Sequence, residues 1–228
     1  MASPNQINVN TLFQQTESAA SSGKIDPLEN LQNDRVYLFS GKSDTTVKPG
    51  VMTAAEDYYR KYVNANNIKT EFSTNAEHGF PTVYYGGTCS RQNPQQHYIN
   101  KCDFDGAYEA LNHIHGNLQK PSYPANMEGT LMKFDQKEFF DSSGGFLSSY
   151  SGLEDVGYLY VPKSCKDGNK VCKLHLSLHG CKQSAEVANE DYVTQTGYIE
   201  VADLNDIIIL SPQAKSDMVS NPNGCFDW

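Results

Sequence analysis

The stretch VCKLHLSLHGCKQSA, at residues 171–185, decides the fold. In it, Cys172 and the leucines at every second position after it alternate with polar residues. A period of two predicts a β-strand whose leucine side is buried in a core. The strand then runs into the sequence HGC at residues 179–181, which predicts a sharp turn at its carboxyl end.

This turn is the first candidate for chemistry. An apolar strand that ends in His-Gly is typical of the strand that, in esterases, supplies a backbone N–H to the oxyanion of the tetrahedral intermediate. Gly180 suits this role because a residue without Cβ lets a substrate oxygen approach the backbone. The alternative is a buried strand followed by an ordinary glycine turn.

Size and charge narrow the function classes. The chain has 228 residues, enough for one or two domains with a sizeable core. Its net charge of −9 and the lack of a basic run argue against nucleic acid or an anionic membrane as partner. No apolar run approaches the roughly 20 residues of a membrane span. The first ten residues, MASPNQINVN, lack a signal-peptide pattern.

The cysteines indicate an oxidising compartment. Their number is even, they fall in local pairs, and none has CxxC spacing, which disfavours zinc and redox catalysis. We therefore expect disulfides, a secreted protein, no metal and no cofactor. The six cysteines are Cys89, Cys102, Cys165, Cys172, Cys181 and Cys225.

Asp44 and His78 are the candidate acid and base. Asp44 follows a predicted strand at residues 35–40, and His78 follows another at residues 68–72, with a predicted helix at residues 51–64 between them. A parallel sheet would bring both loops to one edge, where the pair could act as a base and its orienting acid. Taken singly, Asp44 could simply begin a turn and His78 could be a surface histidine.

The remaining elements divide the chain. We predict an irregular segment at residues 1–34 with one short helix at residues 11–20, and a single domain at residues 35–228. Within that domain we predict an acid–histidine half, a connection and an oxyanion half, at residues 35–119, 120–155 and 156–228. The predicted elements are a helix at 105–118, a hairpin of strands at 156–161 and 171–178, a long helix at 184–205, and a strand buried on both faces at 206–210.

A nucleophile is harder to find. Ser143 is followed by two glycines, but Asp141 stands where a nucleophile elbow needs glycine, and no β-rich run precedes it. The sequence contains no G-x-S-x-G. Since the acid and histidine come before the oxyanion strand, the order of parts indicates a circular permutation of the usual hydrolase order.

Seven collinear segments resemble the fungal-type extracellular poly(3-hydroxybutyrate) depolymerases, which are circularly permuted α/β-hydrolases. They are FSGKSDTTVKPGVM (39–52), EHGFPT (77–82), YINKCDFDGAYEAL (98–111), GYLYVPKSC (157–165), LHGCKQS (178–184), TGYIEVADLNDIIILSPQA (196–214) and SNPNGCFDW (220–228). The resemblance implies an α/β fold with a mostly parallel sheet, helices on both faces, and a sheet that is incomplete. It also implies a serine esterase that cleaves an extracellular polyester.

The resemblance also implies roles for single residues. Asp44 and His78 would be two members of a catalytic triad, and the Cys181 N–H would be one oxyanion donor. The implied disulfides are Cys89–Cys102, Cys165–Cys172 and Cys181–Cys225. Phe226 stands where members of that family commonly have a tryptophan that faces the polymer, so the apolar surface is kept and the indole N–H is lost.

The nucleophile marks the main departure. In that family the serine lies in a GLSSGG-type elbow upstream of the acid, and this sequence begins after that point. We therefore expect a fragment with weak or no esterase activity by itself. The alternatives are an esterase for another substrate, such as a feruloyl or acetyl-xylan ester, and a non-catalytic extracellular binding module.

Overall fold

The structure, a computed structural model, describes residues 4–140 and 151–226. Its α-helices are α1 (Val9–Ser21), α2 (Pro49–Arg60), α3 (Gly106–His115), α4 (Ala185–Ala188), α5 (Asp191–Gln195) and α6 (Tyr198–Asn205). Its strands are β1 (Val36–Phe39), β2 (Ile68–Glu71), β3 (Phe80–Thr82), β4 (Gly87–Thr88), β5 (Ile99–Lys101), β6 (Thr130–Asp135), β7 (Val156–Val161), β8 (Lys173–Leu176) and β9 (Ile207–Ser211).

The strands of the described ranges form three sheets. β1 pairs with β2, and β3 and β4 both pair with β5, in each case in parallel. The third sheet has the order β6-β7-β9-β8, in which β8 and β9 are parallel and the other two pairings are antiparallel. This mixed architecture confirms the predicted α/β class with mostly parallel strands.

The core lies between α6 and one face of the four-stranded sheet. Tyr160 of β7 and Ile207 and Ile209 of β9 are buried against Ile199 and Ala202 of α6. Burying an aliphatic or aromatic side chain of this size contributes about 1.5–3 kcal/mol. A second cluster joins α6 to α3, so the helices fix the sheet relative to the acid–histidine half.

The leucine side of β8 is not buried, contrary to the sequence-based prediction. Leu174, Leu176 and Leu178 are 63%, 51% and 46% exposed, whereas Ser177 and His179, on the other side, are each 4% exposed. The period of two is correct, but α6 packs against the opposite face, and among the described residues β8 is an edge strand. An alternating pattern gives the period and not which side the neighbouring elements cover.

The strand β9 follows the same rule. Its buried residues are Ile207, Ile209 and Ser211. Its partly exposed residues, Ile208 and Leu210, lie on the same face of the sheet as the leucines of β8. The prediction that this strand is buried on both faces is therefore wrong for the described part of the chain.

Two further predictions are wrong. The strands β7 and β8 do not form a hairpin, because β9 lies between them, and β6 pairs along the other edge of β7 from within the predicted connection. The predicted helix at residues 184–205 is three shorter helices, since the backbone is left-handed at Asn189 (φ 51°) and Gly197 (φ 92°). A continuous helix cannot pass through such residues.

The other predicted helices and strands lie where the sequence placed them, within a few residues. Among the described residues, no helix has the length and apolar character needed to cross a membrane.

Candidate active site

A cleft of about 780 Å³ lies where β1 and β8 end. Its lining includes Asp44, from the loop after β1, and His78, from the loop after β2. It also includes Cys181, from the turn after β8. The three groups that the sequence separated by up to 137 positions therefore share one cavity.

Asp44 holds the imidazole of His78 in one orientation. Oδ2 of Asp44 lies 2.9 Å from Nδ1 of His78, and Oδ1 accepts hydrogen bonds from the N–H groups of Thr46 (2.8 Å) and Val47 (2.7 Å). A carboxylate is an acceptor, so Nδ1 of His78 is assigned the proton. Nε2 is then the unprotonated nitrogen, with no hydrogen bond to any described residue, as a general base requires.

Glu77 ties the acid loop to the histidine loop. Its carboxylate accepts hydrogen bonds from N–H (3.1 Å) and Oγ1 of Thr45 and from N–H of His78. Burial alone would raise the pKa of Glu77, but these donors outweigh burial and lower it. The buried side chain is therefore an ionised acceptor at neutral pH, and it joins the neighbours of both catalytic candidates.

The histidine loop is fixed from a second side by Asn100, which is fully buried. Its Nδ2 donates to the carbonyl oxygens of Glu77 (3.1 Å) and His78 (3.4 Å). The N–H of Glu77 donates to the carbonyl oxygen of Cys89 (2.8 Å), and Cys89 is bonded to Cys102. The backbone at His78 is thus held by the Asn100 side chain and, through Glu77, by a segment that a disulfide closes.

The turn after β8 leaves one amide for a ligand. The N–H of Gly180 donates to Oε1 of Gln183 (2.8 Å), and the N–H of Lys182 donates to the carbonyl oxygen of Asn223 (2.7 Å). The amide between them, that of Cys181, makes no hydrogen bond with any described residue. A Cβ at Gly180 would lie 2.7 Å from Oε1 of Gln183, so a larger residue here would displace the end of that side chain.

His179 aims that amide. Its Nδ1 donates to the carbonyl oxygen of Gly180 (2.7 Å), and its Nε2 accepts from the N–H of Ala214 (3.0 Å). Burial lowers the pKa of His179, so the ring stays neutral and can do both. In a trans peptide the N–H points away from the C=O. Anchoring the Gly180 carbonyl therefore directs the Cys181 N–H to the other side of the peptide plane.

The three predicted disulfides are confirmed, as Cys89–Cys102, Cys165–Cys172 and Cys181–Cys225. Phe226 packs its ring 4.8 Å from that of His179 and does not belong to the described lining of the cleft. Its contact with a polymer stays a prediction. Ser142 and Ser143 lie outside the described residues.

Sequence reasoning missed Glu77, Asn100, His179 and Gln183 as parts of the site. Their only signal was proximity, since Glu77 adjoins His78 and the other residues lie in or near segments already singled out. Each also has a hydrogen-bond partner that is remote in sequence, 86 residues away in the case of Gln183 and His97. Within the described ranges, no group of three or more His, Cys, Asp or Glu side chains could hold a metal ion.

Two relatives are similar to nearly the whole chain. A poly(3-hydroxybutyrate) depolymerase of Delftia acidovorans is 40% identical over 100% of this chain and 44% of its own length. A polyhydroxybutyrate depolymerase of Talaromyces funiculosus is 37% identical over 91% of this chain and 62% of its own length. The chain thus spans about half to three fifths of the length of these curated relatives. No protein-family model matches the chain.

Solved structures agree with these relatives. The crystal structure of a PHB depolymerase from Penicillium funiculosum matches 97% of this chain and 70% of its own, with a TM-score of 0.86 and 35% identity. A serine-to-alanine variant of a PHB depolymerase, in complex with an R3HB trimer, matches the same shares of the two chains with a TM-score of 0.87.

Proposed function

We propose a function from the premise that this chain belongs to the poly(3-hydroxybutyrate) depolymerase family. The chain supplies the general base, its orienting acid and one oxyanion donor for the hydrolysis of polyester bonds between 3-hydroxybutyrate units. The observation that carries this proposal is the shared cleft. Its lining contains both the Asp44–His78 pair and Cys181, whose N–H makes no hydrogen bond with any described residue. The three disulfides favour action outside the cell.

The chemistry follows from the roles of these groups. A serine hydroxyl attacks the ester carbonyl while Nε2 of His78 takes its proton, and the Cys181 N–H binds the oxyanion that forms. His78 then gives the proton to the departing alkoxide, which leaves as the hydroxyl end of the shortened polymer. Water attacks the acyl-serine by the same route and releases the free acid, with Asp44 orienting the imidazole throughout.

The strand arrangement supports a place for that serine. β1 and β8 both begin close to the C-terminal end of α3. Arg35, just before β1, donates to the carbonyl oxygen of His113 (3.0 Å), and Lys173, the first residue of β8, donates to that of His115 (3.4 Å). Both strands end at the cleft, yet they do not pair with each other. A further parallel strand between β1 and β8 would join the two sheets and end at the cleft.

Polar groups near the position of this further strand, between β1 and β8, lack hydrogen-bond partners in the described part of the chain. They are the Tyr37 hydroxyl and the Ser40 hydroxyl at β1, and Nε2 of His115 at the end of α3, all buried. Buried polar groups are nearly always hydrogen-bonded in native proteins. Their lack of partners and the exposed leucines of β8 both favour a missing neighbour, and a serine at its carboxyl end would lie between His78 and Cys181.

Ester hydrolysis tests the proposal. The chain is assayed alone and with a second polypeptide that carries the serine elbow of a relative, by cleavage of p-nitrophenyl butyrate and by clearing of a polyhydroxybutyrate suspension. We expect turnover to rise when the elbow is supplied and to be lost in His78→Ala. Turnover that survives His78→Ala would contradict the proposal. Turnover by the chain alone that is lost in Ser143→Ala would place the nucleophile within the chain.

A non-catalytic module that binds polymer is the second candidate. It is favoured by one observation, the lack of G-x-S-x-G in the sequence. Sedimentation with polymer granules separates the two functions. Granule binding without hydrolysis, in both the presence and the absence of the serine elbow, would favour the module.

A further inference from the structure

Gln183 connects the two halves of the cleft through one buried side chain, which is 6% exposed. Its Oε1 accepts from the N–H of Gly180 (2.8 Å), and its Nε2 donates to the carbonyl oxygens of His97 (2.7 Å) and Tyr98 (3.4 Å). We propose that Gln183 is a positioning residue that sets the spacing between the Cys181 amide and the His78 imidazole. This inference rests on the proposed esterase function of the cleft.

On the histidine side, Gln183 holds an unfavourable stretch of backbone. His97 and Tyr98 have φ values of 51° and 55°, a left-handed conformation that residues other than glycine rarely adopt. The Tyr98 ring lies edge-on to His78 with ring centroids 5.9 Å apart, and the Tyr98 carbonyl accepts from the N–H of Phe80 (2.8 Å). Because Gln183 anchors this stretch, its amide acts on the imidazole through Tyr98.

On the oxyanion side, Gln183 acts on both peptide groups of the turn. Its side chain takes the N–H of Gly180, so this donor does not compete with that of Cys181 for a substrate oxygen. Its backbone N–H donates to the carbonyl oxygen of Gly180 (3.2 Å), which belongs to the same peptide unit as the Cys181 N–H. Gln183 therefore fixes which amide faces the cleft and in which direction it points.

The chain offers a control in Asn205, at the end of α6 and outside the lining of the cleft. Its Oδ1 accepts from the N–H of Gln119 (2.6 Å), and its Nδ2 donates to the carbonyl oxygens of Gln119 (2.8 Å) and Val201 (2.8 Å). Asn205 thus makes the same kinds of hydrogen bond as Gln183, between two other segments of the chain. Replacing Gln183 by methionine, or Asn205 by leucine, nearly keeps the volume and removes the bonds.

Kinetics with p-nitrophenyl butyrate, in the presence of the serine elbow, test the proposal. An oxyanion donor contributes about 10²–10³ in rate, so a misplaced donor in Gln183→Met should lower kcat roughly 10–100-fold. KM should change less than about threefold, because the interaction lost belongs to the transition state. Asn205→Leu should lower the unfolding temperature and leave kcat near that of the unmodified chain.

Gln183→Glu separates the two connections. A carboxylate keeps the acceptor for the Gly180 N–H but cannot donate to His97, so exchange of the Gly180 amide should stay slow while the NMR signals of the His78 ring shift. In Gln183→Met that amide should exchange faster as well. A folded Gln183→Glu variant with unshifted His78 signals would overturn the proposal, as would a Gln183→Met variant whose kcat and His78 signals match those of Asn205→Leu.

One readout does not depend on turnover. The NMR signals of the His78 ring should shift in both Gln183 variants and stay in place in Asn205→Leu, because Tyr98 moves only when its anchor is lost. Unshifted His78 signals would overturn the role of Gln183 even if the cleft proves to be an esterase. If the unmodified chain shows no hydrolysis even with the serine elbow supplied, the proposed function fails, and the shift of these signals still decides the positioning role.

Discussion

The acid–histidine side and the oxyanion side of the cleft are held in place by different chemistry. On the acid–histidine side, Asp44 and Glu77 are carboxylates that accept backbone and hydroxyl hydrogens. On the oxyanion side the same work is done by the neutral ring of His179 and the neutral amide of Gln183. A carboxylate beside a developing imidazolium stabilises it, whereas a carboxylate beside a developing oxyanion would repel it. Under the proposed function, the sign of the charge that each side stabilises explains the difference.

Removing the negative charge of Asp44, on the acid–histidine side, should have the largest effect on kcat. With the serine elbow supplied, Asp44→Asn should lower kcat by roughly 10⁴, because an amide no longer fixes the imidazole tautomer and no longer stabilises the imidazolium. Asp57→Asn, an exposed position on α2, is the control and should leave kcat unchanged. A fall of less than about tenfold in Asp44→Asn would mean that the acid is elsewhere.

Removing the disulfides should have the next largest effect, on the free energy of unfolding, and its size should differ from one disulfide to another. From loop length alone, losing Cys181–Cys225, Cys89–Cys102 or Cys165–Cys172 should cost about 4, 3 and 2.5 kcal/mol of unfolding free energy, respectively. The loops close over 44, 13 and 7 residues. Urea unfolding of the three paired Cys→Ala variants measures these costs. Cys181 lines the cleft and the carbonyl oxygen of Cys89 holds the histidine loop, whereas Cys172 lies at the start of β8. The third variant should therefore keep its activity, and a loss of activity there would show that this bond also supports the cleft.

The stability should also depend on pH through His175 of β8, whose ring lies between His115 of α3 and Tyr198 of α6. Burial and the nearby His115 lower the pKa of His175 to about 4, and Tyr198 stacks on the ring. The unfolded chain binds the proton near pH 6.5 and the folded chain does not. The contribution of His175 to stability should therefore fall by about 3 kcal/mol as the pH drops from about 6.5 to about 4, and stay constant below that.

His175→Leu should remove this loss, which urea unfolding at pH 7 and pH 4.5 can measure. The buried carboxyl of Glu154, whose pKa burial and Glu186 raise to about 7, acts in the opposite direction. Because it titrates in both chains, its contribution cancels in the difference between them. Equal pH slopes for the two chains would show that His175 is protonated in the folded state.

The sequence was informative where function follows a strand. Asp44 and His78 each come directly after a strand, so their meeting in one cleft could be predicted from the rule for parallel sheets. The buried face of β8 could not, because the leucine alternation does not state where α6 packs. The predicted long helix is interrupted at Asn189, where φ is positive. A single asparagine in the sequence is too weak a signal to predict such an interruption. Gln183 was beyond prediction because its partners at His97 and Tyr98 are set only by the fold.

A crystal structure of this chain with a 3-hydroxybutyrate trimer tests the central claim most directly. We predict an ester carbonyl oxygen about 2.7–3.1 Å from the Cys181 nitrogen, with the same ester facing Nε2 of His78. A trimer bound outside the cleft, or a Cys181 amide that points away from the bound ester, would contradict the claim that these groups act on one substrate bond.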